Sequence, residues 1–312
     1  MPLDIMAIGN IVSDFVAAPV TRVPAWGELY SVTQPINLNI GGNAAIFCAC
    51  ASRLGLHAGL MGKIGDDEIG QVLLRKLKDA SVDISCVNLS REKPTAATLV
   101  IANDSGERSF YHHIGANAEF GLADVDFSSL FKAKALLLCS YFIMPNLAGE
   151  PAKTILKKAK ENNMVTFFDV AWDPIGNWDL DEILNYVDVF IPNEDEITRI
   201  TKKKYVADAI PELLDAGVRT VAVKLGSKGC YIKNYEGVEI QLKAHNVKAL
   251  DTTGAGDTFN AGFVYGTLSG WDLDKIARFA NAAAAISVTK LGGATAAPTL
   301  NEVEEFMKNQ IE

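Results

Sequence analysis

In the 312-residue chain no basic block stands out; 29 basic residues face 38 acidic ones, for a net charge of -9 at pH 7. That balance argues against a nucleic-acid partner, which would be held first through its phosphates. Cysteine is sparse as well: Cys48, Cys50, Cys86, Cys139 and Cys230 show no paired metal-type spacing, and four lie in apolar stretches, as reduced core thiols do. No uncharged run approaches the length that spans a bilayer, and MPLDIMAIGN lacks a basic stretch followed by a long apolar one. The expectation is a soluble cytoplasmic protein without a membrane partner. Internal repeats and low-complexity segments are missing too. The first strand-to-helix turn has no G-x-G-x-x-G, which argues against a nicotinamide oxidoreductase, and Walker A is absent.

What is present is a large core. At 49% hydrophobic, the chain can fill one large α/β domain with an insertion, or two domains. Ile5–Ile8 reads as a buried strand ending in Gly9-Asn10, with Asp14 just beyond it. In open α/β sheets ligands sit outside the carboxyl ends of strands, so Asp14 is placed either to hold a substrate hydroxyl or to cap a surface turn. Phe15–Ile40 carries β-formers among prolines and glycines, and Val20–Val23 and Leu29–Thr33 are the expected strands there. Gly41-Gly42-Asn43 then leads into an apolar helix, Ile46–Gly55; the double glycine permits either close ligand approach or tight helix packing. Ala58–Ile64 is strand-like, and Gly65–Glu68 opens a helix carried by Ile69–Leu77. Ala96–Ala102 and Arg108–Ile114, joined by Asn103–Glu107, form a hairpin that would complete a small sheet with the early strands.

From residue 120 strands and helices alternate, which predicts a parallel sheet covered on both faces. Ala135–Cys139, Val165–Asp169, Val187–Ile191 and Thr220–Leu225 are its strands. Asn193 and Glu196 follow the third, one helical turn apart, and suit either a hydrated Mg²⁺ with its phosphates or an acidic helix cap. Gly226-Ser227-Lys228-Gly229 is a nucleotide contact or simply a turn. In the small-residue helix Leu273–Lys290, Asn281 is the polar group that could reach a base.

The most informative stretch is Asp251–Gly266, DTTGAGDTFNAGFVYG. Its glycines let successive N–H groups point one way, and the helix behind them adds unsatisfied donors and its positive dipole end. Such a corner attracts phosphate. Asp257 in the first helical turn is either a plain dipole partner or, ionised at pH 7, a base for a hydroxyl whose phosphoryl acceptor role the turn supports.

The GG-plus-helix element, the hairpin, NxxE, DTTGAGD and the alanine-rich helix Phe279–Thr289 occur in an order that resembles the PfkB or ribokinase-like carbohydrate kinases over nearly the whole chain. The resemblance implies one kinase domain, 1–312: a ribokinase-like three-layer α/β/α core with a mostly parallel sheet, and a small β-sheet lid inserted at about 12–40 and 94–118. It implies Asp257 as the base for a sugar hydroxymethyl group, with Gly254, Ala255 and Gly256 as the anion hole. Asn193 and Glu196 match the pair that organises Mg²⁺ and the phosphates of ATP, and Lys224, Gly226, Gly229 and Asn281 fall where members contact ATP. Asp14, Gly41, Gly42 and Asn43 fall where members hold substrate, and Arg108 of the hairpin is the remaining cationic candidate. Members also hold K⁺ beside the anion hole; Asp251 and Thr253 match part of that site, with Ser287, Lys290 and Gly292 as carbonyl candidates. Many members dimerise through the lid, so a homodimer is implied. Ile46 stands where ribokinases usually carry Asn, and Ser140-Tyr141-Phe142 stands where they show a sugar-binding Glu. The substrate class therefore stays open between a neutral sugar or polyol and a nucleoside, and a non-catalytic sugar-binding regulator remains the alternative.

Overall fold

The computed structural model describes residues 2–103, 108–180 and 183–309. Among these residues thirteen strands occur in chain order: β1 (Ile5–Ile8), β2 (Val12–Ala17), β3 (Asn37–Gly41), β4 (Ala58–Gly65), β5 (Asp83–Ser90), β6 (Ala97–Ala102), β7 (Arg108–His113), β8 (Ala135–Leu138), β9 (Val165–Phe168), β10 (Val189–Phe190), β11 (Thr220–Lys224), β12 (Cys230–Asn234) and β13 (Glu239–Leu242). Nine form one sheet in the order β13-β12-β11-β10-β9-β8-β1-β4-β5. Pairing is parallel from β11 through to β5, and antiparallel only at β11-β12 and β12-β13.

The parallel strands read as unbroken apolar runs because both faces are covered. Neighbouring residues alternate between two cores. Ile5 and Ala7 of β1 join Leu60, Leu137 and Phe167 against the helices Asn43–Arg53, Ala255–Leu268 and Leu273–Ser287. Met6 and Ile8 join Met61, Leu136 and Phe168 on the other face, against the helices Glu150–Glu161 and Val206–Asp215. No helix among the described residues is long and apolar enough to cross a membrane.

The chain runs outward from β1 to β4 and β5, then returns on the other side of β1 as β8. This reversal leaves a crevice beyond the carboxyl ends of β1 and β8, the usual place for a ligand in an open α/β sheet.

The second sheet has the order β3-β2-β6-β7 and corrects the expected strands of the early segment. Val20–Val23 and Leu29–Thr33 are irregular, and the strands lie to either side, at Val12–Ala17 and Asn37–Gly41. Strand propensity needs a partner ladder, and the intervening segment carries Pro19, Pro24 and Pro35, each without an N–H to give. The hairpin β6-β7 is present, though residues 104–107 of its turn lie outside those described. Register aligns Leu38, Phe15, Leu99 and Tyr111 in one row across the sheet, with Asn39, Asp14, Thr98 and His112 in the adjacent row. Because side chains alternate, the two rows face opposite sides.

The helices Ala255–Leu268 and Leu273–Ser287 approach closely through small residues. A Cβ added at Gly262 would stand 2.9 Å from Ala280 Cα, a backbone atom with little freedom to yield. Gly262→Val should therefore destabilise the fold by about 1–3 kcal/mol through overpacking. Urea unfolding would register this as a lower midpoint at unchanged slope; an unshifted midpoint would mean that the helices part freely.

Candidate functional site

Polar residues converge where the strands end. Asn10 follows β1, Ser140 follows β8, Asp169 follows β9, Asn193 opens the helix after β10, and Lys224 closes β11. A cavity of about 730 Å³ opens there, lined by Asn43, Asp169, Glu196, Lys224, Asp257 and Asn281 among others. Of the residues singled out in sequence, Asn193, Gly226, Gly229, Ala255 and Gly256 also line it.

The turn before Asp257 needs its glycine. Gly254 caps the helix Ala255–Leu268 at φ 72°, in the left-handed region, and its carbonyl accepts from Thr258 N (2.8 Å) and Thr258 Oγ1 (2.9 Å). The first-turn N–H groups behind it have no carbonyl within the helix to meet. Arg108 reaches across from β7 and donates to the hydroxyls of Thr252 and Thr253, with Asp251 Oδ1 3.7 Å away. Asp251 accepts from Thr253 N (2.8 Å) and Gly292 N (2.9 Å), tying the loop to the start of the last short helices. Ser287 Oγ donates to Ala284 O (2.8 Å), and Lys290 pairs with Glu302 at 2.8 Å.

Asp257 is 6% exposed, and Asn43 Nδ2 donates to its Oδ1 at 3.3 Å. Burial, then the Asp169 charge, push its carboxyl up to about 7, against the lowering pull of Lys224 and Asn43. Burial thus works against the ionised form of Asp257. Glu196, 5% exposed, is likewise raised to about 7 by burial and by Asp169. The NxxE pair is both a cap and a cavity wall: Glu196 N donates to Asn193 Oδ1 (2.8 Å) and Asn193 N to Glu196 Oε2 (2.7 Å).

Lys224 donates to Asp169 Oδ2 at 2.7 Å and lies 3.4 Å from Asn260 Oδ1. Burial works to lower the Lys224 ammonium, but Asp169 and Glu196 overcome it and hold the group above its ordinary value. Asp169 and Asn260 were not singled out in sequence, and 91 positions separate them. Only the strand-like reading of Val165–Asp169, which put Asp169 at a strand end, pointed to either. Asn10 and Ser140 also belong to the site: Ser140 Oγ donates to Asn10 Oδ1 at 2.6 Å and lies 3.3 Å from Asn43 Oδ1.

Asp14 comes from the small sheet. A Cβ at Gly41 would stand 2.3 Å from its carboxylate, and one at Gly42, where φ is 87°, would stand 2.6 Å from Asn10 O. Gly42 therefore requires glycine, and at Gly41 a side chain would displace the Asp14 carboxylate. Asn281 Nδ2 donates to Lys243 O (2.8 Å), which fixes the amide at the cavity wall.

Residues 3–300 match the profile of the pfkB family of carbohydrate kinases. The chain is 32% identical over 282 residues to a ribokinase of Haemophilus influenzae, an overlap of 88% of this chain and 90% of that one. It is 33% identical over 253 residues to an Archaeoglobus fulgidus protein named an uncharacterized sugar kinase, covering 79% and 97%. Arabidopsis thaliana ribokinase, solved in complex with ribose and ATP, superposes with a TM-score of 0.86 at 26% identity over 99% of each chain. The fold is ribokinase-like, as expected.

Burial pushes the Asp14 carboxyl up from its ordinary 3.8 to about 6, with the Thr98 hydrogen bond opposing the rise. The folded state then holds a proton more tightly than the unfolded state, so stability falls as pH climbs from about 4 through about 6 and is level above that. Asp14→Asn should gain about 1–3 kcal/mol over the parent at pH 8 and nothing at pH 4. Denaturant melts at the two pH values check this; an equal gain at both would refute the shift.

Proposed function

Because the chain belongs to the pfkB family of carbohydrate kinases, we propose that it transfers the γ-phosphoryl group of ATP to a hydroxymethyl group of a small sugar or related polyol, with Asp257 as the base. The observation that carries this reading is the juxtaposition of a buried, near-neutral carboxyl with a glycine turn at a helix start. The glycine turn Gly254–Gly256 receives the transferring group, and the substrate hydroxyl faces Asp257. Phosphoryl transfer is loose, so the carboxylate mainly orients the oxygen and takes its proton late. Asp14, Asn43, Asn10 and Ser140 offer hydrogen bonds and no cation, which favours neutral hydroxyls over a phosphorylated sugar. The names of the relatives make a pentose the first substrate to try, although Ile46 and Ser140 replace groups that ribokinases use. A nucleoside remains the second reading, through the aromatic residues Phe15, Phe110, Tyr111 and Phe142.

A divalent cation fits Glu196, a buried carboxylate raised by a like charge and in need of a positive neighbour. Mg²⁺ held there beside Asn193 would neutralise charge on the ATP phosphates. The residues considered for K⁺ fit less well: both Asp251 oxygens accept backbone N–H groups, and the Arg108 guanidinium already stands beside them. No step above uses K⁺. Arg108 acts instead as a tie between the lid and the anion-hole loop.

The row Leu38, Phe15, Leu99 and Tyr111 supports a homodimer through the small sheet, with Leu99 40% and Tyr111 68% exposed in a single chain. Leu99→Glu should convert a dimer to a monomer in sedimentation; a monomeric parent would remove the idea.

Asp257→Asn should keep the fold and ATP binding while lowering kcat by about 10²–10⁴. In the parent, kcat/KM should rise with pH and level off above about 7, because the base must lose its proton. Coupled ADP release across a panel of sugars, polyols and nucleosides is the measurement. An Asn variant as active as the parent removes the assignment of the base, and a parent inactive on every acceptor favours a sugar-binding regulator.

A further inference from the structure

Lys224 enters the cavity from the end of β11 and does not lie free in it. Its ammonium donates to Asp169 at the end of β9 (2.7 Å) and lies 3.4 Å from Asn260 Oδ1 on the helix Ala255–Leu268. Asn260 in turn donates its amide to the same Asp169 oxygen. Asp169 is 3% exposed and Asn260 is fully buried. The three side chains thus form a closed triangle drawn from two strand ends and one helix. The triangle fixes where the ammonium sits: a Cβ at Gly256 would stand 3.6 Å from Lys224 Nζ, beside the anion-hole backbone.

A buried ion pair of this kind is often no more than structural, and replacing such pairs with apolar residues is frequently neutral or stabilising. Two features point elsewhere. The pair lies on the cavity wall, with the Lys224 side chain 15% exposed, so its retained charge faces ligand space. A second carboxylate, Glu196, also acts on the same ammonium, so without Asp169 the lysine would have another charge to turn to. Asn260 opposes that shift, because its amide holds Asp169 and its carbonyl oxygen faces the lysine.

We propose that Asp169 and Asn260 are positioning residues that hold the Lys224 ammonium at the glycine turn, where it stabilises charge on the phosphoryl group in transit. This rests on the kinase reading above and deepens it. Lys224 is then the side-chain partner of the backbone donors of Gly254–Gly256. The contact is strongest when charge is on the transferring group, so its loss appears in kcat more than in the KM for ATP.

The test uses the full chain and the acceptor on which the parent releases ADP. Asp169→Asn removes the anchor while keeping size and shape. It should lower kcat roughly 10–100-fold, and Lys224→Met roughly 100–1,000-fold, the range for lost preorganised electrostatic contacts. The KM for ATP should change little in Asp169→Asn. The exchange variant Asp169→Asn with Asn260→Asp returns one carboxylate and one amide to the same lysine and should recover most of kcat. Melting temperatures measured alongside separate folding from function. The proposal is overturned if Asp169→Asn melts lower yet keeps kcat, if the loss lies in KM alone, or if the exchange variant melts like the parent without recovering turnover. Should Asp169→Asn prove insoluble, the comparison of Asn260→Ala with the parent decides in the same way. A parent that releases no ADP on any acceptor defeats the kinase reading itself, a result distinct from these.

Discussion

Three carboxylates, those of Asp169, Glu196 and Asp257, share a buried space with a single ammonium, that of Lys224. Like charges withdrawn from water raise one another's affinity for protons, and here both Glu196 and Asp257 rise to about 7. The arrangement carries an excess of negative charge that one lysine cannot offset. An incoming cation would relieve the strain, and so would protonation. The cluster thus gives up stability at the ends of the strands, as groups kept for function often do.

Such crowding is tolerable only on a rigid support. The groups stand at the ends of adjacent parallel strands whose side chains are packed on both faces, Leu136, Leu138, Phe168 and Phe190 on one and Leu137, Phe167 and Val189 on the other. A core packed at crystal-like density transmits displacement poorly into soft motion, so the carboxylates cannot drift apart to relieve their repulsion. The small sheet supplies the opposite wall. Asp14 rests on the bare Cα of Gly41, which a side chain would displace, and the backbone at Gly42 passes close to Asn10.

Legibility in the sequence follows from how local each feature is. The strands β1, β4, β8 and β11 could be read because burial on both faces leaves an apolar run that needs no partner to recognise. In the small sheet the hairpin β6-β7 could be read as well, but β2 and β3 could not. Val12–Ala17 and Asn37–Gly41 carry Asp14, Asn37 and Asn39 on one side, which breaks up their apolar pattern, whereas Leu29–Thr33 has strong β-formers and no ladder to join. DTTGAGD was visible because its turn, helix start and acid lie within seven residues. The triangle of Asp169, Lys224 and Asn260 was hidden, since 55 positions separate the first two and only the sheet order brings their strands together. The near-neutral state of Asp257 was equally hidden, because it depends on neighbours from β9 and β11 rather than on residues beside it.

Two carboxyls of the site region reside on different scaffolds, and one short segment touches both. Asp14 belongs to the small sheet and Asp257 to the helix Ala255–Leu268. Between them runs Gly41-Gly42-Asn43: the first residue ends β3 and seats Asp14, the last begins a helix packed in the core and donates to Asp257. This segment thus couples the position of Asp14 to that of Asp257, with Gly42 in the left-handed region between them. Arg108 makes a second, reversible connection from the same sheet to Thr252 and Thr253. The chain also enters or leaves the small sheet before β2, before β6 and after β7, so with Arg108 added its strands are tied to the core at several points and Asp14 is held in one frame with the glycine turn.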